Sequence, residues 1–127
     1  GDTAFHGRHI LLAEDDVRNI FALSSLLEPR GAKLSIARNG REALEILDRE
    51  QTIDLVLMDV MMPEMDGLTA IAAIREQSRH KHLPIIAITA KATRDDHRQC
   101  LAAGASDYLA KPIDVDKLLS LCRVWMR

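Results

Sequence analysis

Leu55-Val56-Leu57-Met58 is an uninterrupted apolar run that stops on a carboxylate, Asp59, and is followed by Met61-Met62-Pro63 and by Asp66-Gly67. A run this short, apolar throughout and closed by turn residues, suits a strand buried on both faces of a parallel sheet. An acid at the carboxyl end of such a strand lies on the edge where open α/β sheets collect their ligands. A lone aspartate there most often caps the next turn. Its meaning rests on what the other strands bring to the same edge.

Four more segments read as strands. His9-Ile10-Leu11-Leu12-Ala13 runs into Glu14-Asp15-Asp16, and Lys33 to Ala37 alternates. Ile85 to Thr89 follows Pro84 and ends on a hydroxyl and Ala90, and Asp107 to Ala110 ends at Lys111-Pro112. Helical spacing falls between them. Asn19 to Glu28 carries Ile20, Phe21, Leu23, Leu26 and Leu27 on its apolar face and is stopped by Pro29 and Gly31. Arg41 to Arg49 follows the turn signal Asn39-Gly40 and presents Ala43, Leu44, Ile46 and Leu47. Leu68 to Gln77 presents Ile71 and Ile74, Arg94 to Ala103 is polar and closed by Gly104, and Val115 to Met126 presents Leu118, Leu119, Leu121, Cys122 and Trp125. Ser78 to Leu83 reads as a polar, basic loop.

Alternating strands and helices predict an α/β fold: a doubly wound, five-stranded parallel sheet with five helices on its two sides. A chain of 127 residues is one domain by size. Residues 1–7 show no periodicity and read as a linker or cloning remnant outside the fold, leaving 8–127 as the domain. Aromatics are only 3% of the chain, so the core must be aliphatic. A net charge of -2 argues against a nucleic-acid surface. No apolar run approaches the ~20 residues of a membrane span, and no signal peptide is visible. Cys100 and Cys122 lack a metal or redox spacing and read as small buried hydrophobes in a reduced, cytoplasmic setting.

The carboxyl ends of parallel strands share one edge. Here they deliver Glu14, Asp15 and Asp16, then Asp59, Thr89 and Lys111. Clustered carboxylates repel one another, and a neighbouring ammonium or a hard divalent cation relieves them. Oxygen donors with no His or Cys beside them favour Mg²⁺, which typically takes one or two carboxylates together with phosphate oxygens. A carboxylate can act as a nucleophile toward phosphorus, and phosphoryl transfer needs positioning and charge neutralisation above all. The residue types fit phosphoryl transfer to Asp59.

The set Glu14-Asp15, Asp59, Thr89-Ala90 and Lys111-Pro112, with Met62-Pro63-x-Met65-Asp66-Gly67 and Ala102-Ala103-Gly104-Ala105-Ser106-Asp107-Tyr108, resembles the receiver domain of bacterial two-component response regulators. The likeness covers about Arg8 to Arg127. Ile88-Thr89-Ala90-Lys91-Ala92 and the closing helix resemble receivers attached to hybrid sensor histidine kinases, so of the two expectations, a stand-alone receiver or a piece of a larger protein facing the cytoplasm, the resemblance favours the second.

The resemblance implies a flavodoxin-like strand order of 2-1-3-4-5 and a cis Lys111-Pro112 bond. It implies that Asp59 accepts a phosphoryl group from the phosphohistidine of a histidine kinase or histidine phosphotransfer domain. Asp15 and Asp59 would bind Mg²⁺ by side chain, Met61 by its backbone carbonyl and Glu14 through water. Lys111 would contact Asp59 and a phosphoryl oxygen, while Thr89 and Tyr108 would switch conformation, Tyr108 moving inward behind Thr89. Asp16 either adds charge at the metal or caps the first helix, and Met61 and Lys91 occupy positions that tune dephosphorylation. Members of the family often dimerise through the last helices, and a weak dimer of that kind is an expectation here.

Other readings are set beside this one. An aspartyl-nucleophile phosphohydrolase of the haloacid dehalogenase type would carry a second acid two residues after Asp59, where this chain has Met61. A dinucleotide-binding module would need Gly-x-Gly-x-x-Gly, which Gly31, Gly40, Gly67 and Gly104 do not form. A docking module that works without phosphate is the remaining alternative. His80-Lys81-His82 reads as solvated, His6, His9 and His97 show no partner pattern, and Met58, Met61, Met62 and Met65 read as core and loop packing.

Overall fold

The three uninterrupted apolar runs become the three central strands, because only a sheet covered on both faces can bury every residue of such a run. A computed structural model describes residues 3–50 and 52–127. β1 (His9–Ala13), β3 (Leu55–Asp59) and β4 (Ile85–Thr89) are buried at all five positions each. The alternating segment β2 (Lys33–Ala37) forms one edge and the short β5 (Asp107–Ala110) the other. All neighbours pair in parallel in the order β2-β1-β3-β4-β5, as expected.

Side chains alternate across the sheet, so each strand feeds two cores. Ile10, Leu12, Leu55, Leu57, Ile86 and Ile88 face α1 (Val17–Leu27) and α5 (Val115–Trp125). Leu11, Ala13, Val56, Met58, Ile85 and Ala87 face α2 (Gly40–Arg49), α3 (Gly67–Glu76) and α4 (Arg94–Ala103). Each helix opens on a side chain that accepts a backbone N–H: Asp16, Asn39, Asp66, Thr93 and Asp114 in turn. Such caps are worth about 1 kcal/mol each. They move the start of α1 to Val17, ahead of the Asn19 expected from periodicity. Ser78–His80, expected as loop, is a single 3-10 turn.

Three expectations need correction. Phe21 is 73% exposed. Leu23 and Leu27 define the buried stripe of α1, and a residue two positions before Leu23 points away from it at 100° per residue. Met61 is 65% exposed rather than packed, whereas Met58 is core and Met62 and Met65 pack against it. His9 does have a partner: it is buried, with Nε2 2.6 Å from Ser35 Oγ. Cys100 and Cys122 are buried free thiols, as expected, and burial pushes Cys122 up to about 12.

The stretch before Arg8 is also not outside the fold; of it, only Gly1 and Asp2 lie outside the described residues. Phe5 is fully buried in the α1/α5 core, beneath the Arg123 guanidinium at 5.9 Å from its ring. The Gly7 N–H donates to Gly31 O at 3.0 Å, and Lys33 N–H donates to Arg8 O at 2.8 Å, so the segment leads directly into β1–β2 pairing. Gly31 has φ 97°, and a Cβ there would come within 2.9 Å of His6 Nδ1. Phe5→Ala should therefore cost about 3–5 kcal/mol in urea unfolding, whereas a change of less than about 0.5 kcal/mol would show the segment to be a passive linker.

Candidate functional site

Four strand ends meet at one edge. Asp59 closes β3 and is 2% exposed, with Lys111 Nζ 3.2 Å from its Oδ2 and 3.8 Å from Glu14 Oε2. Glu14, Asp15 and Asp59 each offer a carboxylate oxygen, all within 4.8 Å of one another. The Met61 N–H donates to Asp59 Oδ1 at 3.1 Å and the Asp16 N–H donates to Glu14 Oε1 at 3.0 Å. Thr89 closes β4, buried, and its hydroxyl oxygen accepts from the Lys91 N–H at 3.1 Å.

The loop after Asp59 is fixed from both sides. Val60 N–H donates to Ile88 O and Gly67 N–H returns to Val60 O, at 2.8 and 2.9 Å. A Cβ on Gly67 would lie 2.2 Å from the Asp59 carbonyl oxygen, so only glycine permits α3 to start this close to the acid. From α2, the Gly40 N–H donates to Met65 O at 2.9 Å, and Asn39 and Arg41 reach Glu64 at 3.2 and 2.8 Å. The turn signal Asn39-Gly40 is thus a helix cap that also grips the loop. Lys111 N–H donates to Thr89 O at 2.8 Å, and the Lys111–Pro112 bond is cis.

Of the residues singled out in the sequence, Glu14, Asp15, Asp59 and Lys111 come together, with Thr89 on the adjoining strand. Asp16 stands apart as the cap of α1, where the Arg18 guanidinium holds its carboxyl below the usual range. Met61 presents its N–H to Asp59 and its side chain to water; Lys91 is exposed. Tyr108 is half-buried and stacks on His97 with ring centroids 3.9 Å apart. Periodicity gave no sign of that pairing, because His97 and Tyr108 lie on different elements. The i, i+3 spacing of His97 and Cys100 was the one available hint that His97 faces inward.

A sequence profile described as response regulator receiver domain matches residues 10–123. The sensor histidine kinase GacS of Pseudomonas protegens is 40% identical over 119 residues, 91% of this chain and 13% of that protein. The chain likewise spans 6% of a hybrid histidine kinase of Dictyostelium discoideum. The receiver domain of sensor histidine kinase PA1611 from Pseudomonas aeruginosa, with a magnesium ion coordinated in its active site cleft, superposes with TM-score 0.87. It is 36% identical, over 94% of this chain and 98% of that one. The Ssk1 receiver domain of Saccharomyces cerevisiae, solved with the histidine phosphotransfer protein Ypd1, superposes at 0.88 with 29% identity, over 95% and 90%.

Electrostatics give the acid cluster a measurable signature. Burial pushes the Glu14 carboxyl from 4.5 up to about 7, and neighbouring Asp59 adds to the rise against the Asp16 N–H and Lys111. The donor set carries more negative charge than Lys111 offsets, which is the condition a divalent cation relieves. The folded chain keeps the Glu14 proton up to about pH 7, while the unfolded chain releases it near 4.5. Over that window the folded state binds more protons, so metal-free stability falls as pH rises. Glu14→Gln removes this titration and should leave the metal-free protein about 1–3 kcal/mol more stable than wild type at pH 8. The two should be near-equal at pH 4, by urea unfolding; parallel pH profiles would overturn the assignment.

Proposed function

This chain belongs to the response regulator receiver domain family, and from that premise we propose that Asp59 is a phosphoacceptor. The donor is a phosphohistidine on a histidine kinase or histidine phosphotransfer domain. The observation that carries the reading is the buried Asp59 carboxylate, 2% exposed, held 3.2 Å from Lys111 beside two further acids. In the transfer an Asp59 carboxylate oxygen forms a bond to phosphorus while the P–N bond breaks, and the imidazole leaves with the electron pair. Lys111 offsets charge on the acceptor and on a phosphoryl oxygen, and the Thr89 hydroxyl turns from the Lys91 N–H toward the phosphoryl group. Electrostatic positioning of this kind is most of what phosphoryl transfer asks of a protein.

Asp15 and Asp59 would hold Mg²⁺ directly, Met61 through its backbone carbonyl and Glu14 through water. Three hard oxygen donors within 4.8 Å, with an excess of negative charge, suit such an ion. Bound there, it supplies positive charge against the phosphoryl oxygens. The PA1611 receiver, with magnesium in its cleft, supports this by likeness. The 13% share of the GacS relative supports placing the chain as one part of a hybrid kinase.

The exposure of Phe21 acquires a meaning in this frame. Val17 and Phe21, one turn apart on α1, are 63% and 73% exposed, and α1 begins two residues after Asp15. An exposed apolar face beside the acceptor is where a donor protein has area to bury. The Ypd1 complex of the Ssk1 receiver supports a partner of that class.

Two variants separate chemistry from docking. Asp59→Asn should abolish radiolabel uptake from acetyl phosphate with Mg²⁺ and from a phosphorylated histidine phosphotransfer domain; continued uptake would end the reading. Phe21→Ser should slow transfer from the phosphotransfer domain about 10-fold or more and leave uptake from acetyl phosphate unchanged. Equal slowing from both donors would remove Phe21 from the docking face.

A further inference from the structure

Among the five α-helices, α4 buries the fewest residues. Of its ten residues only Cys100 is fully buried, and the rest of its inward face is half-buried Asp96, His97 and Ala103. A helix with so little buried apolar area is held by few contacts, and each of them weighs heavily. One is the stack of His97 on Tyr108, with centroids 3.9 Å apart and planes 22° from parallel. The His97 ring is held by that stack and its packing: Nε2 is buried and accepts or donates no hydrogen bond.

The sheet register shows what the stack restrains. Tyr108 pairs with Ala87, and Thr89 pairs with Ala110. Parallel partners share a face, and residues two apart on a strand share a face. Ala87, Thr89, Tyr108 and Ala110 therefore line one side of the sheet, beneath α4. Along this track the sheet positions between Tyr108 and Thr89, Ala87 and Ala110, carry only methyl side chains. A cavity of about 300 Å³ lies at its far end, lined by Thr89, Lys91, Asp96 and Cys100 among others. Helix α4 is also tied to Thr89 from the other side, since Lys91, in the loop that leads into it, donates its N–H to the Thr89 hydroxyl.

We propose that His97 is a latch: by stacking on Tyr108 it holds the ring at the α4–β5 seam and so sets the resting balance between the two states of the switch. The proposal rests on the phosphoacceptor reading and adds to it a named regulator. When Thr89 turns to the phosphoryl group it releases the Lys91 N–H, α4 loses one tie, and the His97 stack becomes the tie that must yield before Tyr108 can travel past Ala87 and Ala110. His97 touches no reacting atom and is a positioning residue.

Tyr108 is the only tyrosine in the chain, so 3-fluorotyrosine labelling gives a single fluorine resonance that reports on this ring. In wild type, acetyl phosphate with Mg²⁺ should move that resonance to a second position. His97→Ala should move the unphosphorylated resonance part of the way there and speed labelling of Asp59 by acetyl phosphate about 2- to 10-fold, the span expected for loss of one aromatic pair. His97→Phe, which keeps a ring to stack, should restore both the wild-type position and the wild-type rate. The latch falls if His97→Ala leaves the labelling rate unchanged, or if His97→Phe behaves as the alanine variant does. If wild type takes up no label from acetyl phosphate with Mg²⁺, the phosphoacceptor reading fails and the latch with it; if it takes up label but the resonance does not move, the latch alone falls.

Discussion

Like charge held at close range is the constraint around which this molecule is arranged. Glu14, Asp15 and Asp59 bring their oxygens within 4.8 Å, two of the three residues are almost wholly buried, and Lys111 is the cation that faces them. No local segment would adopt this arrangement alone. Backbone pairing of β1 with β3 and of β3 with β4 imposes it, as does the cap-and-loop framework that ties Gly67 to Val60 and Gly40 to Met65. The apolar strands supply the stability and the strand ends store the repulsion. That division keeps the site poised for a positively charged partner and for a group that changes its charge.

Much of this was legible in the residues, and the reasons differ from place to place. The runs ending at Ala13, Asp59 and Thr89 could be read because a strand buried on both faces leaves an unmistakable block of Leu, Ile, Val and Met. The site could be read because parallel strands share an edge, so order along the chain becomes proximity in space. Phe21 was misread since an apolar residue at near-helical spacing is indistinguishable from a core residue until the register of α1 on the sheet is known. Phe5 was missed for the opposite reason: a lone aromatic in an aperiodic stretch carries no pattern, and its burial depends on a gap between α1 and α5 that exists only once both have docked.

His97 and Asn39 illustrate a third kind of blindness. Neither is an apolar member of a periodic face. Asn39 acts by capping α2 while its amide reaches Glu64, and His97 acts by stacking on a residue from β5. Both are contacts between elements made by polar or amphipathic side chains, and such contacts depend on geometry rather than on composition. They also lie where the fold has least apolar area to spare, along the loop after Asp59 and beneath α4. Apolar packing builds the frame, and a few directional contacts decide how its movable parts rest.

Burial of Phe5 has an architectural corollary. Strands in a parallel sheet all point one way, so the chain enters β1 at the pole opposite Asp59, about 16 Å away at the rise of a five-residue strand. Met126, just past the end of α5, packs in the same apolar cluster as Phe5, and Arg123 lies over the Phe5 ring. Both leads out of the domain are thus gathered at one pole. A neighbour tethered at either lead therefore starts from the pole opposite the acidic edge, with the length of the sheet between its tether and Asp59.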